Sequence, residues 1–117
     1  MTLYDKDGQP VAYVEADGNI FSFSGEPVAY LDGDCVWAYS GKHLGWFNAG
    51  LVRDHSGDTA FFTENAVGGP PKPLKALKSL KGLKGLKPLK ALKELKPLRA
   101  MNSIGWSEFS GEAFFHQ

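Results

Sequence analysis

The sequence predicts an all-β fold: a four-fold repeated β-hairpin meander closed into a small propeller-like domain. An extended Leu-Lys tail, polyproline-II-like, and a short C-terminal helix follow it. Three observations carry that prediction. Glycines stand at 8, 25, 41 and 57, spaced 17, 16 and 16 residues apart. The segments around them, LYDKDGQPVAYV, IFSFSGEPVAYL, VWAYSGKHLGWF and VRDHSGDTAFFT, repeat one apolar pattern. From residue 72 the composition changes to Leu and Lys, each at every third position. The chain accordingly divides into residues 1–66, the four-repeat domain; 67–73, a Gly/Pro hinge; 74–100, the triplet tail; and 101–117, an anchoring segment.

Within each unit the local chemistry is strand, turn, strand. Asp7-Gly8, Ser24-Gly25, Ser40-Gly41 and Ser56-Gly57 read as hairpin turns, where glycine takes positive φ at little cost. Asp17-Gly18, Asp32-Gly33, Ala49-Gly50 and Asn65 read as the turns between units. The short segments between them are rich in Val, Tyr, Phe and Trp, so eight strands are expected within residues 3 to 63. Units this small cannot bury a face alone. Four alike copies imply closure, which removes exposed sheet edges.

Strand alternation then sorts the columns. Leu3, Ile20, Val36 and Val52 stand five positions before each glycine, and share a face with Asp5, Ser22, Ala38 and Asp54. Val11, Val28, Leu44 and Ala60 stand three positions after it, and share a face with Tyr13, Tyr30, Trp46 and Phe62. Those columns are the expected core. The opposite face carries Tyr4, Phe21, Trp37 and Arg53, then Lys6, Phe23, Tyr39 and His55, then Val14, Leu31, Phe47 and Thr63. Units two and three are therefore apolar on both faces, and something is expected to cover the second.

Leucine at every third position, Leu74 to Leu98, would spiral around an α-helix instead of forming a stripe, and a strand needs period two. Three residues per turn fit polyproline II or a 3₁₀ helix. Long 3₁₀ runs are uncommon, and Pro70, Pro71, Pro73, Pro88 and Pro97 favour polyproline II. A broken 3₁₀ or α form and disorder are the alternatives. In polyproline II a Leu row, a Lys row and a mixed row separate. At about 3.1 Å per residue the tail would span roughly 85 Å, against a domain roughly 25–30 Å wide. The expectation is that it folds back near Gly82 to Gly85 or crosses neighbouring protomers. Its Leu row is expected against the aromatic face or other tails, its Lys row toward solvent and acids. Beyond it, Trp106, Phe109, Ala113 and Phe114 form a helical stripe that Ser107 or Ser110 would cap.

The formal net charge of zero over 117 residues hides a split. Residues 1 to 71 hold three Lys/Arg against ten Asp/Glu, whereas residues 72 to 100 hold ten Lys/Arg against Glu94 alone. Two such blocks attract each other, within one chain or between chains. The single cysteine, Cys35, excludes an intrachain disulfide framework and a Cys-based zinc site. No apolar run is long enough for a membrane helix and no signal-peptide pattern opens the chain, so a cytoplasmic location is expected.

The units YDKDGQPVAYV and FSGEPVAYLDGD, the segment GKHLGWFNAG, the Leu-Lys triplets and the terminal WSEF together resemble the bacterial four-fold β-flower proteins. The resemblance covers nearly the whole chain. It implies a four-petalled β domain and carries over no catalytic or binding residue.

Chemistry-bearing residues are few. His43, His55 and His116 have no metal-ligand spacing, and no activating neighbour of Cys35 is visible. Asp5 and Asp54 occupy equivalent positions in units that closure brings together; such carboxylates hold a cation or bond turn amides. No catalytic, cofactor or metal residue is expected, and no small-molecule substrate is evident. The candidate interaction residues are Phe21, Phe23, Trp37 and Tyr39 on the second face and Leu80, Leu83, Leu86, Lys81, Lys84 and Lys87 in the tail. The expected function is a non-catalytic structural or protein-interaction module whose tail docks on its own or a neighbouring β domain, with self-association or another protein as partner. The alternative is a polyanion binder through the Lys row. Nucleic acid is disfavoured because the row lacks Arg and interleaved aromatics, and an anionic membrane surface ranks behind self-association.

Overall fold

In the computed structural model, which describes residues 1–109 and 111–117, eight strands run in a closed antiparallel meander. They are β1 (Thr2–Tyr4), β2 (Pro10–Val14), β3 (Asn19–Ser22), β4 (Pro27–Asp32), β5 (Cys35–Trp37), β6 (His43–Asn48), β7 (Leu51–Arg53) and β8 (Thr59–Phe62). Each strand pairs with the next, and Tyr4 opposite Phe62 joins β1 to β8, so neither end of the meander is left as an edge. Each petal is one hairpin, tipped by Gly8, Gly25, Gly41 or Gly57, all at positive φ as the turn reading required.

The core is not arranged as strict alternation predicts. In every petal the register slips at the same place: Leu3 faces Ala12 but Tyr4 faces Pro10, and the same shift recurs at Ile20/Phe21, Val36/Trp37 and Val52/Arg53. Val11, Val28, Leu44 and Ala60 are thus the extra residues of four equivalent β-bulges, each of which reverses the parity of its strand beyond it. Leu3, Ile20, Val36 and Val52 fill the interior as expected, with Val28, Leu44 and Ala60. Ala12, Ala29, Phe61 and Val14 join them, and Leu31 and Phe47 pack alongside. The aromatic column Tyr13, Tyr30, Trp46 and Phe62, expected inside, points outward. It meets Phe21, Phe23, Trp37, Tyr39 and Tyr4 in satellite clusters between petals.

The C-terminal segment closes the core. A six-residue 3₁₀ turn, Gly111–His116, drives Phe114 and Phe115 into it, where both rings pack on Phe61 at 5.4 Å. The expected single helical stripe is divided instead. Trp106 packs on Phe62 at 6.0 Å in the groove between the fourth and first petals, Phe109 flanks the core, and only Ala113 and Phe114 of the four lie in the turn, with Phe114 alone buried. Ser107 Oγ accepts from the Phe109 amide and donates to Asp54 Oδ2, while Ser110, the other candidate cap, lies outside the described residues.

The tail neither folds back nor leaves the domain. It runs around the outside of a disc whose Cα extents are 36 × 36 × 22 Å. A tail roughly 85 Å long fits a domain this narrow because its path follows the circumference and not the diameter. Gly82 and Gly85, expected as a fold-back point, lie on the second petal: Gly82 N donates to Phe23 O at 2.7 Å and Gly85 N to Gly25 O at 2.8 Å. A Cβ on Gly82 would collide with the Ser24 backbone, so glycine marks close approach there and not a bend.

Candidate functional site

The belt docks on the petals with a period of nine. The carbonyls of Leu74, Leu83, Leu92 and Met101 lie against the tip glycines Gly8, Gly25, Gly41 and Gly57, where any Cβ would strike them. Two residues further along, Ala76, Gly85, Glu94 and Ser103 donate their amides to the carbonyls of the same four glycines, at 2.8 to 3.1 Å. Gly82 and Ala91 add bonds to Phe23 O and Tyr39 O, and Pro73, next in that series, has no N–H to give. All these donors belong to the mixed row of the triplets. Its backbone lies on the petal tips, closely enough at Gly82 to exclude a side chain, while Glu94 accepts the His43 amide at 2.9 Å.

The lysine row enters the grooves between petals. Lys81 Nζ lies 4.2 Å from the centre of the Tyr13 ring, Lys90 Nζ 4.4 Å from Tyr30 and the Arg99 guanidinium 5.8 Å from Trp46, again nine residues apart. Lys84 lies over Phe21 and Lys93 over Trp37, at 5.6 and 5.3 Å. A cation over a ring face is attracted by the ring quadrupole. Cations of the row also reach acids at the turns between petals: Lys78 to Glu64, Lys84 to Glu15, Lys87 to Asp17, Lys93 to Asp32 and Arg99 to Asp34, so Lys84, Lys93 and Arg99 meet both a ring and an acid. A side-chain hydrogen bond from Lys93 holds the Asp32 carboxyl below its ordinary value; Asn19 amides, with Lys87 behind them, do so at Asp17. The acidic and basic halves of the chain neutralise each other in this way.

The leucine row therefore faces outward, opposite to the expectation. Leu80, Leu83 and Leu86 are 96 to 97% exposed, and Leu74 to Leu98 throughout 94 to 97%. The aromatic residues meant to cover them are covered by lysine stems and heads instead. The row also continues past Leu98 into Met101 and Ile104, both exposed, and the belt contacts continue with it to Ser103. Phe21, Phe23, Trp37 and Tyr39 are all buried; of the candidate lysines Lys84 lies over Phe21, Lys81 over Tyr13 and Lys87 on Asp17, while the candidate leucines stay exposed.

The fourth petal departs from the other three. Arg53 replaces the aromatic at its groove, and its Nη1 donates to Gly57 O and Ser103 O, both at 2.7 Å, tying the belt end to the tip. His55 stands where Phe23 and Tyr39 do, with its Nε2 2.9 Å from Nδ1 of fully buried His43. That contact was not visible from sequence, because it joins the first residue of β6 to a residue of the turn after β7, twelve positions away. Burial, then His55, pushes His43 down to about 4, and its Nε2 has no partner among the described residues. Burial pushes the Tyr39 hydroxyl up to about 12; it donates to Asn19 Oδ1 at 2.5 Å.

Asp5 accepts the Asp7 and Gln9 amides, and Asp54 those of Ser56 and Asp58, the turn-bonding alternative. The Cys35 thiol is buried, which pushes its pKa up. Among the described residues no group of three His, Cys, Asp or Glu side chains converges to hold a metal, and no helix is long and apolar enough to cross a membrane. An open cleft of about 730 Å³ is lined by Tyr13, Phe47, Thr63, Glu64, Lys78 and Lys81 among others, with no Ser, Cys or His on its wall among the described residues.

Four bulged hairpins closed into one barrel, a belt of three-residue repeats over the petal tips and a C-terminal plug define a belted four-petalled β domain. The chain belongs to the four-fold β-flower protein family, whose model matches residues 1–115. Neither a curated protein nor a solved structure matches it.

Proposed function

We propose that this chain is a non-catalytic structural module that anchors its own tail so as to present a row of leucines to another protein surface. One observation carries the reading: the cationic row lies inward on rings and acids while nine leucines stand at least 94% exposed. A monomer that left apolar side chains free would ordinarily turn them inward, since burying each leucine stabilises by about 1.5–3 kcal/mol. Here the grooves are filled by the cations. A polyproline II course for the belt agrees with its path. From Leu74 to Met101, 27 residues at about 3.1 Å give roughly 84 Å, and three quarters of a circle as wide as the 36 Å disc is roughly 85 Å.

Polyanion binding through the lysine row has less support, because Lys84, Lys87, Lys93 and Arg99 already face flower acids. Trypsin tests the anchored belt. The parent protein is expected to resist cleavage after its belt lysines, and Lys81, Lys84 and Lys87 changed together to Gln should expose Lys90, Lys93 and Lys96. Rapid cleavage of the parent belt, with retention on heparin that falls steeply with salt, would favour the polyanion reading.

A further inference from the structure

We infer that the leucine row is a homotypic interface: its occupant is the leucine row of a second copy of this chain. The inference rests on the anchored-belt reading above and adds the identity of the partner. At about 25 cal/mol per Å², the 1.5–3 kcal/mol of a buried leucine corresponds to roughly 60–120 Å², so nine of them offer roughly 500–1,100 Å². The largest apolar patch on an ordinary monomer is about 300–600 Å². Because this row is spread over three quarters of the disc, one neighbour meets only part of it. Each contact is smaller than the roughly 800 Å² per partner of a stable interface, so association is weak per contact and builds with concentration. Met101 and Ile104 extend the row further.

The row is complementary to itself. Successive leucines of a three-residue helix stand about 9.3 Å apart, a gap that admits one leucine of an apposed row, so two rows interdigitate. Electrostatics does not oppose the approach. The chain's formal net charge is zero, and the lysines beside the row are turned toward Glu15, Asp17, Asp32 and Glu64 of their own flower. Chains near zero net charge associate readily. Because the row passes three petals before ending on the fourth, different arcs can engage different neighbours. Assembly therefore extends beyond a dimer as concentration rises.

Sedimentation velocity on the full chain over a concentration series tests this, with Leu80, Leu83 and Leu86 changed together to Ser as the variant. Those side chains touch nothing in the fold, so the variant folds and its melting temperature in dilute solution stays that of the parent. The parent's average mass should rise with concentration, and ammonium sulfate should enhance the rise, as apolar burial requires. The variant should associate at least about tenfold more weakly. Its belt should remain as resistant to trypsin as the parent's. A parent that stays monomeric up to about 1 mM with a protected belt overturns the homotypic interface and leaves the anchored belt standing. A parent whose belt is cut at once overturns both. Leucine-dependent binding to phosphatidylcholine–phosphatidylglycerol vesicles by a monomeric parent would overturn it in favour of a lipid surface.

Discussion

At His43 burial and hydrogen bonding pull against each other. Its Nδ1 shares a hydrogen with His55, yet its ring is fully buried between Trp37 and Trp46, and proton uptake there comes only at about 4. The unfolded chain protonates the same ring near 6.5. Below that pH the unfolded state binds more protons than the folded one, so stability falls as pH drops from about 6.5 to about 4 and is complete above. The loss is worth up to about 3 kcal/mol. Melting temperatures of the parent and His43→Phe should converge as pH falls from about 7 to about 4.5; parallel curves would show that His43 is not the group responsible. Gly25 makes a second single-residue test. Its φ of 99° disfavours a side chain, and the Leu83 carbonyl occupies the space a Cβ would take. Gly33 has a φ of 63° and nothing within 4 Å of the same atom. Gly33→Ala should cost about 1 kcal/mol, whereas Gly25→Ala should cost more and also loosen the belt, read as trypsin cleavage after Lys84.

At the scale of the element, the three rows of the belt have three separate environments, and only one of these was legible in the sequence. The repeat of glycine at 8, 25, 41 and 57 announced four hairpins because each tip needs positive φ, and closure followed from the number of copies. The bulges were not announced. Val11, Val28, Leu44 and Ala60 are ordinary strand residues, and no glycine or proline marks the inserted position. One slip of register per petal sends Tyr13, Tyr30 and Trp46 outward and makes them seats for Lys81, Lys90 and Arg99. With the aromatics assigned to the core, leucine looked like the only row able to cover the second face. The nine-residue period was hidden for a related reason: it follows from the circumference of the disc, which no stretch of the tail encodes alone. The order of mutational effects follows from the rows. Lys81, Lys84 and Lys87 changed together to Gln should lower the melting temperature by several degrees, since rings and acids both lose a partner. The matching serine changes at Leu80, Leu83 and Leu86 should leave it unmoved. Calorimetry of dilute samples checks this, and a larger loss from the leucine variant would mean the row is buried.

At the scale of the molecule, the belt is a segment held at both ends. Its start leaves β8 through Gly68 and Gly69, with Pro70 buried against the flower. Its end is held by Arg53 on the Ser103 carbonyl, by pairing of Thr59 with Trp106, and by Phe114 and Phe115 in the barrel core. A chain fixed at both ends loses less entropy on docking than a free tail, which lets modest contacts suffice along the arc between. The two ends are not equally strong. At the hinge Gly68 is open and only Gly69 and Pro70 lie against the flower, Gly69 on Leu51 and Thr59, whereas Phe114 is wholly buried and touches Phe61 edge to face. Strength at the C-terminal end therefore depends on one plug that also completes the core. Phe114→Ala should cost about 3–5 kcal/mol of barrel stability by opening a cavity beside Phe61 and Gly45. It should also release the belt from the fourth petal backward. In a timed trypsin digest under native conditions, cuts after Arg99 and Lys96 should precede cuts after Lys75 and Lys78. If Lys75 and Lys78 are cut first, the hinge is the end that opens, and the plug stabilises the barrel without holding the belt.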